Sequence, residues 1–251
     1  MSDEPRTSPT VRTAAVIPAA GRGVRLGPGA PKALRPLSGT PMLIHAVRAM
    51  AASRAVRMVV VVAPPDGAPE VRALLDEHSF PERTTITVVP GGETRQESVA
   101  LGLRALPADI TSVLVHDAAR PLVPVDTVDA VVDAVRDGAP AVVPALPLAD
   151  TVKQVEPDPR GGPEKVVGTP ERALLRAVQT PQGFDRATLV RAHETVAPDG
   201  EGATDDAGMV ERLGVPVVCV PGHEEAFKVT RPLDLVLAEA VLARRRATDG
   251  F

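Results

Sequence analysis

The sequence predicts an α/β fold, a mostly parallel central sheet with helices on both faces. Three observations predict it. Short apolar runs at 14–17, 57–62, 112–115 and 141–145 are what strands covered on both faces require. Between them, apolar residues recur at helical spacing, as Val128, Val131, Val132 and Val135 do. The first run also leads straight into a loop of glycines and cations, and such loops bring backbone N–H groups close to anions.

Taken in order, residues 1–12 are polar and lack an apolar signal-peptide core, so they read as a disordered tail ahead of one domain at 13–246. The first strand stops at Pro18, and the loop after it carries Gly21, Arg22, Gly23, Arg25, Gly27, Gly29 and Lys32. It is not a P-loop, because Pro31 and Ala33 flank Lys32. It is not a dinucleotide fingerprint either, since Leu26 stands where the third glycine belongs. On residues alone it is a nucleotide-triphosphate cradle or a flexible surface loop.

Thr40-Pro41 reads as an N-cap followed by a helix-starting proline, with Leu43, Ile44, Val47 and Met50 on the buried face. Residues 57–62 form a second strand, 71–78 a short helix and 85–89 a third strand. Gly91-Gly92 then breaks the chain before Thr94-x-x-Glu97, a capping box that places Arg95 and Ser98 on one face of the next helix. The fourth strand, 112–115, ends at His116-Asp117. Open α/β sheets bind ligands beyond the carboxyl ends of their strands, so Asp117 is the leading carboxylate for a divalent cation. Arg120 either reaches a phosphate or pairs with a nearby acid.

A helix opening at Asp126-x-x-Asp129 and stopping at Gly138 leads to the fifth strand at 141–145. The rhythm then breaks. Residues 151–155 and 165–168 read as the two sides of a protruding hairpin with a Pro/Gly tip. Helices follow at 188–195 and from Thr204-Asp205-Asp206 to 213, then a sixth strand at 215–220. Cys219 lies in that apolar run and reads as a packed thiol. The last helix starts at Pro232 with Asp234 in its first turn, and Arg244-Arg245-Arg246 closes it, matching the helix dipole at both ends.

Composition excludes some functions. Net charge is −4 with no Trp or Tyr, which argues against a nucleic-acid binder that neutralises phosphates or stacks bases. A nucleobase would have to be read by backbone groups and small polar side chains. No apolar stretch has the length of a membrane span. A single cysteine excludes an internal disulfide and suits a reducing cytoplasm.

PAAGRGVRLGPGAPK, Gly91-Gly92 with Arg95-x-x-Ser98, His116-Asp117-Ala118-Ala119-Arg120-Pro121, Asp150-Thr151-Val152-Lys153, Thr180-Pro181-Gln182 and Lys228-Val229-Thr230-Arg231-Pro232 follow in one order. Together they resemble the 2-C-methyl-D-erythritol 4-phosphate cytidylyltransferase family of CDP-alcohol-forming nucleotidyltransferases. The resemblance implies a Rossmann-like fold of the nucleotide-diphospho-sugar transferase type. It also implies transfer of CMP from CTP to a polyol phosphate, with Mg²⁺ or another divalent cation, in a homodimer built through an arm at 147–170.

By that resemblance Arg25, Lys32, Arg172 and Lys228 are catalytic cations. Ala19, Ala20, Gly21, Gly23, Gly92, Ser98, Asp117 and Ala118 bind the nucleotide. Thr151, Thr180, Arg172 and Lys228 hold the polyol phosphate, Thr151 and Arg172 reaching the neighbouring subunit's site. Asp117 and Glu225 hold the metal. The chain reads Glu224-Glu225-Ala226-Phe227-Lys228, where the family usually has Asp and often Asn before the Lys-Val-Thr motif. A ribitol 5-phosphate cytidylyltransferase shares the main motifs, and a non-catalytic nucleotide-binding regulatory module is an alternative of another class.

Overall fold

Strand β1 (Thr13–Pro18) lies between β4 (Val56–Ala63) and β6 (Ser112–Val115), parallel to both. The computed structural model describes residues 12–21, 31–195 and 204–249. Beside β4 runs β5 (Thr85–Pro90), also parallel. Next to β6 comes β11 (Gln182–Asp185), antiparallel to β6 and to β7 (Ala141–Pro147). β7 also pairs antiparallel with β10 (Arg176–Val178) and parallel with β12 (Val218–Pro221), completing an eight-stranded sheet.

Alternation along the central strands divides the core in two. Ala15 and Ile17 of β1, Val59 and Val61 of β4 and Leu114 of β6 face one side. There they meet α1 (Met42–Ala52), α2 (Ala68–Asp76) and α4 (Val125–Arg136). Ala14, Val16, Val60, Val62, Val113 and Val115 face the other side. They pack on α3 (Arg95–Arg104), α5 (Arg186–Thr195) and α6 (Asp206–Arg212). Fully burying one such Val or Leu stabilises by about 1.5–3 kcal/mol. The expected α/β class is the one observed.

Two short antiparallel pairs stand apart from that sheet. β2 (Pro36–Leu37) pairs with β3 (Thr40–Pro41), and β8 (Gln154–Glu156) pairs with β9 (Lys165–Gly168) in the expected hairpin. A third apolar cluster joins Leu37, Met42, Leu122 and Val229 to Ala238 of the last helix, α7 (Pro232–Asp249).

Several expectations need correction. Pro41, in extended geometry, is the N-cap of α1, and Thr40 belongs to a strand. Strands β10 and β11 escaped the sequence reading, since Arg176-Ala177-Val178 and Gln182-Gly183-Phe184-Asp185 are too short to show a period. Cys219 is exposed, because among the described residues β12 pairs only with β7. Arg244 and Arg245 do not close a helix, as α7 continues to Asp249; they pair instead with Glu225. Residues 1–11 of the expected tail lie outside the described residues. Arg12 is docked, its carbonyl accepting from the backbone N–H groups of Thr111 and Ser112.

Candidate active site

The carboxyl ends of β1, β5 and β6 open onto one cleft of ≈ 270 Å³. At β1 the chain leaves the sheet through Pro18-Ala19-Ala20-Gly21, and the N–H of Ala19 still donates to Val62 O at 2.8 Å. This bond keeps the turn flat against the strand tops. At β5 the exit is Gly91-Gly92, with the N–H of Gly91 donating to Ala63 O at 2.8 Å. A Cβ on Gly91 would stand 2.9 Å from both Ala63 O and Ser98 Oγ, so the turn leaves no room for a side chain.

The predicted capping box then forms. Glu97 N–H donates to Thr94 Oγ1 at 3.1 Å, and Thr94 N–H donates to Glu97 Oε2 at 3.0 Å. Ser98 Oγ accepts from the N–H of Gly92 at 3.2 Å, tying helix α3 back to the glycine turn. Ala19, Ala20, Gly21, Lys32, Gly92, Arg95, Ser98, Asp117, Ala118 and Lys228 all line this cleft. Gly23 and Arg25 lie outside the described residues.

The end of β6 is fixed by a chain of hydrogen bonds through a histidine that sequence reasoning left without a role. His116 is fully buried. Its Nε2 lies 3.1 Å from Arg120 O, which only accepts, so Nε2 carries the proton. Nδ1 therefore accepts from the Thr180 hydroxyl at 3.1 Å, and Thr180 Oγ1 accepts from Asp117 N–H at 3.0 Å. Burial pushes the imidazole down to about 4, so it is neutral at physiological pH. The polarity of this relay positions Asp117.

Asp117 is surrounded by cations. Lys228 Nζ is 2.7 Å from Oδ2, Arg95 Nε is 3.6 Å from Oδ1 and Arg120 Nε is 3.9 Å from Oδ2. Burial raises the carboxyl, but Lys228, then Arg95 and Arg120, outweigh it and bring it to about 2. Arg120 thus pairs with an acid, one of its two expected roles. Its guanidinium also donates to Ala226 O at 2.8 Å and to Val178 O at 3.3 Å. Val229 N–H reaches Ala119 O at 2.8 Å, anchoring the segment that carries Lys228.

A second cleft of ≈ 260 Å³ shares Arg95, Asp117 and Lys228 with the first and is walled by Arg120, Gln179, Thr180 and Thr204. Thr180 thus faces this side, at the Thr180-Pro181 cis peptide. Arg172 and Thr151 line neither cleft; Arg172 lies in a short 3-10 turn and donates to Ala149 O. Glu225, the second carboxylate expected at the metal, lines neither cleft and is paired with arginines instead. Arg245 Nε lies 2.8 Å from its Oε2, and Arg244 takes Oε1. The Arg-rich end of α7 was the sequence signal for that pairing.

Two cavities that meet at an ionised acid and a lysine suit two anionic substrates joined at one phosphorus. The family model described as 2-C-methyl-D-erythritol 4-phosphate cytidylyltransferase, IspD, matches residues 13–244. The chain belongs to that family. It is therefore an enzyme, a cytidylyl-transferring member of the non-mevalonate route to isoprenoids.

Its relatives match over most or all of their length. The 2-C-methyl-D-erythritol 4-phosphate cytidylyltransferase of Streptomyces avermitilis is 79% identical, covering 100% of each chain. That of Frankia casuarinae is 55% identical over 95% of this chain and 84% of its own. The crystal structure of the Thermus thermophilus enzyme superposes with a TM-score of 0.70 at 36% identity, covering 92% of this chain and 98% of its own. The corresponding synthase of Anaerococcus prevotii gives 0.77 at 26%, covering 93% and 99%.

Proposed function

We propose that the two clefts perform an in-line transfer. A phosphate oxygen of 2-C-methyl-D-erythritol 4-phosphate attacks the α-phosphorus of CTP, forming 4-diphosphocytidyl-2-C-methyl-D-erythritol as the bond to pyrophosphate breaks. The observation that carries this reading is the shared wall of Asp117 and Lys228 between the two cavities. Both reactants are anions, so positioning and charge neutralisation supply most of the rate.

Ala19, Ala20, Gly21, Gly92, Ser98 and Ala118 would enclose the nucleotide, with Gly23 continuing that loop. Lys32 and Arg25 would neutralise the α-phosphate and departing pyrophosphate. Lys228 would leave Asp117 to hold the attacking phosphate, next to Thr180. Asp117 fits a divalent cation of the Mg²⁺ type, which takes one or two carboxylates and otherwise water and phosphate oxygens. Among the described residues no group of three His, Cys, Asp or Glu forms a protein-only metal cage. When bound, that ion would neutralise phosphate charge.

Thr151 lies in the arm and Arg172 just beyond it, and we read them as completing the site of a second copy. Among the described residues the β8–β9 hairpin pairs only with itself, and its Val166 and Val167 are 53% and 52% exposed. Leu233, Val236 and Leu237 lie on one exposed face of α7. A homodimer would cover such apolar surface. The cytoplasm is the compartment that fits the single cysteine, and no helix of the described residues is long and apolar enough to cross a membrane.

The test is pyrophosphate release measured with each nucleoside triphosphate against methylerythritol phosphate and ribitol 5-phosphate, with and without Mg²⁺. Turnover is expected with CTP, methylerythritol phosphate and metal together. Preference for ribitol 5-phosphate, or CTP binding with no turnover, would overturn the reading.

A further inference from the structure

A buried acid stands behind the cleft and takes no part in the transfer described above. Asp206, the first residue of α6, is fully buried. Its Oδ1 is 2.9 Å from His193 Nε2 on α5, and its Oδ2 is 2.7 Å from Arg95 Nη1 at the start of α3. Arg95 thus touches two acids, since its Nε lies 3.6 Å from Asp117 Oδ1.

The anchor is fixed from several sides. Gln182 of β11 donates to Asp205 Oδ2 at 2.6 Å and accepts from Ala207 N–H at 3.2 Å. Asp205 in turn caps α6 by accepting from Gly208 N–H at 2.9 Å. On the other side the Thr94–Glu97 capping box sets where Arg95 leaves the backbone. The guanidinium therefore spans two helix N-termini that are each locked.

Stability is a poor reason for such a group, because replacing a buried ion pair with apolar side chains is often neutral or stabilising. Geometry gives a better one. Asp206 and Asp117 compete for a single guanidinium, and Asp206 takes the shorter contact. Arg95 is held beside Asp117 without closing on it. Arg120 is less free to adjust, being committed to the carbonyls of Ala226 and Val178. Once Lys228 turns to an arriving phosphate, Arg95 is the cation that still orients the Oδ1 side of Asp117.

We propose that Arg95 is a positioning residue for Asp117, kept at its working distance by the buried Asp206–His193 pair. This rests on reading Asp117 as the acid of the reacting site, and the test separates the two ideas. Turnover number, KM for each substrate and CTP affinity by calorimetry are measured for Arg95→Gln, Arg95→Lys, Asp206→Asn, His193→Leu and His193→Gln, with Asp117→Asn as reference.

Arg95→Gln, Arg95→Lys and Asp206→Asn are expected to lower kcat about tenfold or more while changing CTP affinity roughly threefold or less. His193→Gln should retain most of the kcat that His193→Leu loses. Arg95→Gln combined with Asp206→Asn should be no worse than the poorer single variant, as coupled sites require. Unchanged kcat in Arg95→Gln overturns the proposal, and so do additive losses in the double variant. A drop in CTP affinity that accounts for the whole effect also overturns it, making Arg95 a nucleotide contact. If Asp206→Asn does not fold, the Arg95 variants decide, since that side chain is 35% exposed. Full activity in Asp117→Asn would sink the reading of the site itself.

Discussion

Lys228 Nζ lies 2.7 Å from Asp117 Oδ2, so the acid at the end of β6 and the lysine between the two clefts form one ion pair. On the proposed reading, an arriving phosphate competes with this pair. The lysine is only partly covered, 39% exposed, and can turn outward while Asp117 stays in place.

Removing that lysine is the first test. Lys228→Ala is expected to lower kcat/KM for the polyol phosphate by about 10²–10³, the usual loss of one preorganised charge donor. Steady-state kinetics with saturating CTP measures it. A loss below about threefold would show that the phosphate is held elsewhere.

Acid should act on the fold in two stages. The His116 imidazole is lowered from 6.5 to about 4 by burial, so between these values the unfolded chain binds the proton more readily. Its contribution, roughly 3 kcal/mol in full, is present above pH 6.5 and drains away as pH falls towards 4. Asp117, lowered from 3.8 to about 2, keeps its contribution above pH 3.8 and loses it as pH falls through 2. Nitrogen NMR at pH 6 should find His116 neutral with the proton on Nε2; an imidazolium there refutes the buried relay.

Gly91 offers a steric test. A Cβ there meets Ala63 O and Ser98 Oγ, both at 2.9 Å, and one of these is backbone. Gly91→Ala should open the turn that presents Gly92, costing about 1–3 kcal/mol of stability as overpacking does. It should also raise KM for CTP more than KM for the polyol phosphate. Equal effects on both would mean that the turn does not belong to the nucleotide side.

Glu225 separates architecture from metal binding. Its two oxygens hold Arg244 and Arg245, which brace α7 against the chain leading to Lys228. Glu225→Gln is expected to lower stability by about 1 kcal/mol, seen as a drop of roughly 2–4 °C in Tm. The Mg²⁺ concentration for half-maximal rate should stay the same. A tenfold rise in that concentration would return Glu225 to the metal.

The arm can be tested by mixing. Arg172→Ala and Lys228→Ala proteins, each inactive, should recover about a quarter of wild-type activity when co-folded in equal amounts, because half the dimers carry one intact site. No recovery in verified mixed dimers would place Arg172 in its own chain's site or outside any.

Much of this arrangement was legible in the sequence. Apolar runs such as Val59-Val60-Val61-Val62 announce a strand covered on both faces, and Thr94-x-x-Glu97 fixed a helix start to the residue. The site motifs told which residue types gather, because strand ends converge wherever parallel strands do. What escaped was set by distant partners. β10 and β11 are strands only because β6 and β7 offer free edges. Cys219 looked like core from its neighbours, yet its strand lies at an edge. Glu225 looked like a ligand until α7 brought two arginines to it, a contact 19 and 20 residues away in sequence.

The glycine turns at the strand tops have a consequence for engineering. Pro18-Ala19-Ala20-Gly21 and Gly92 line the cleft with main chain, and the chain contains no Trp or Tyr to swap for another ring. On the proposed reading of this cleft as the nucleotide side, side-chain replacement gives little leverage over which nucleobase is accepted. Retuning that choice would mean rerouting the peptide itself, by changing the length or path of these loops.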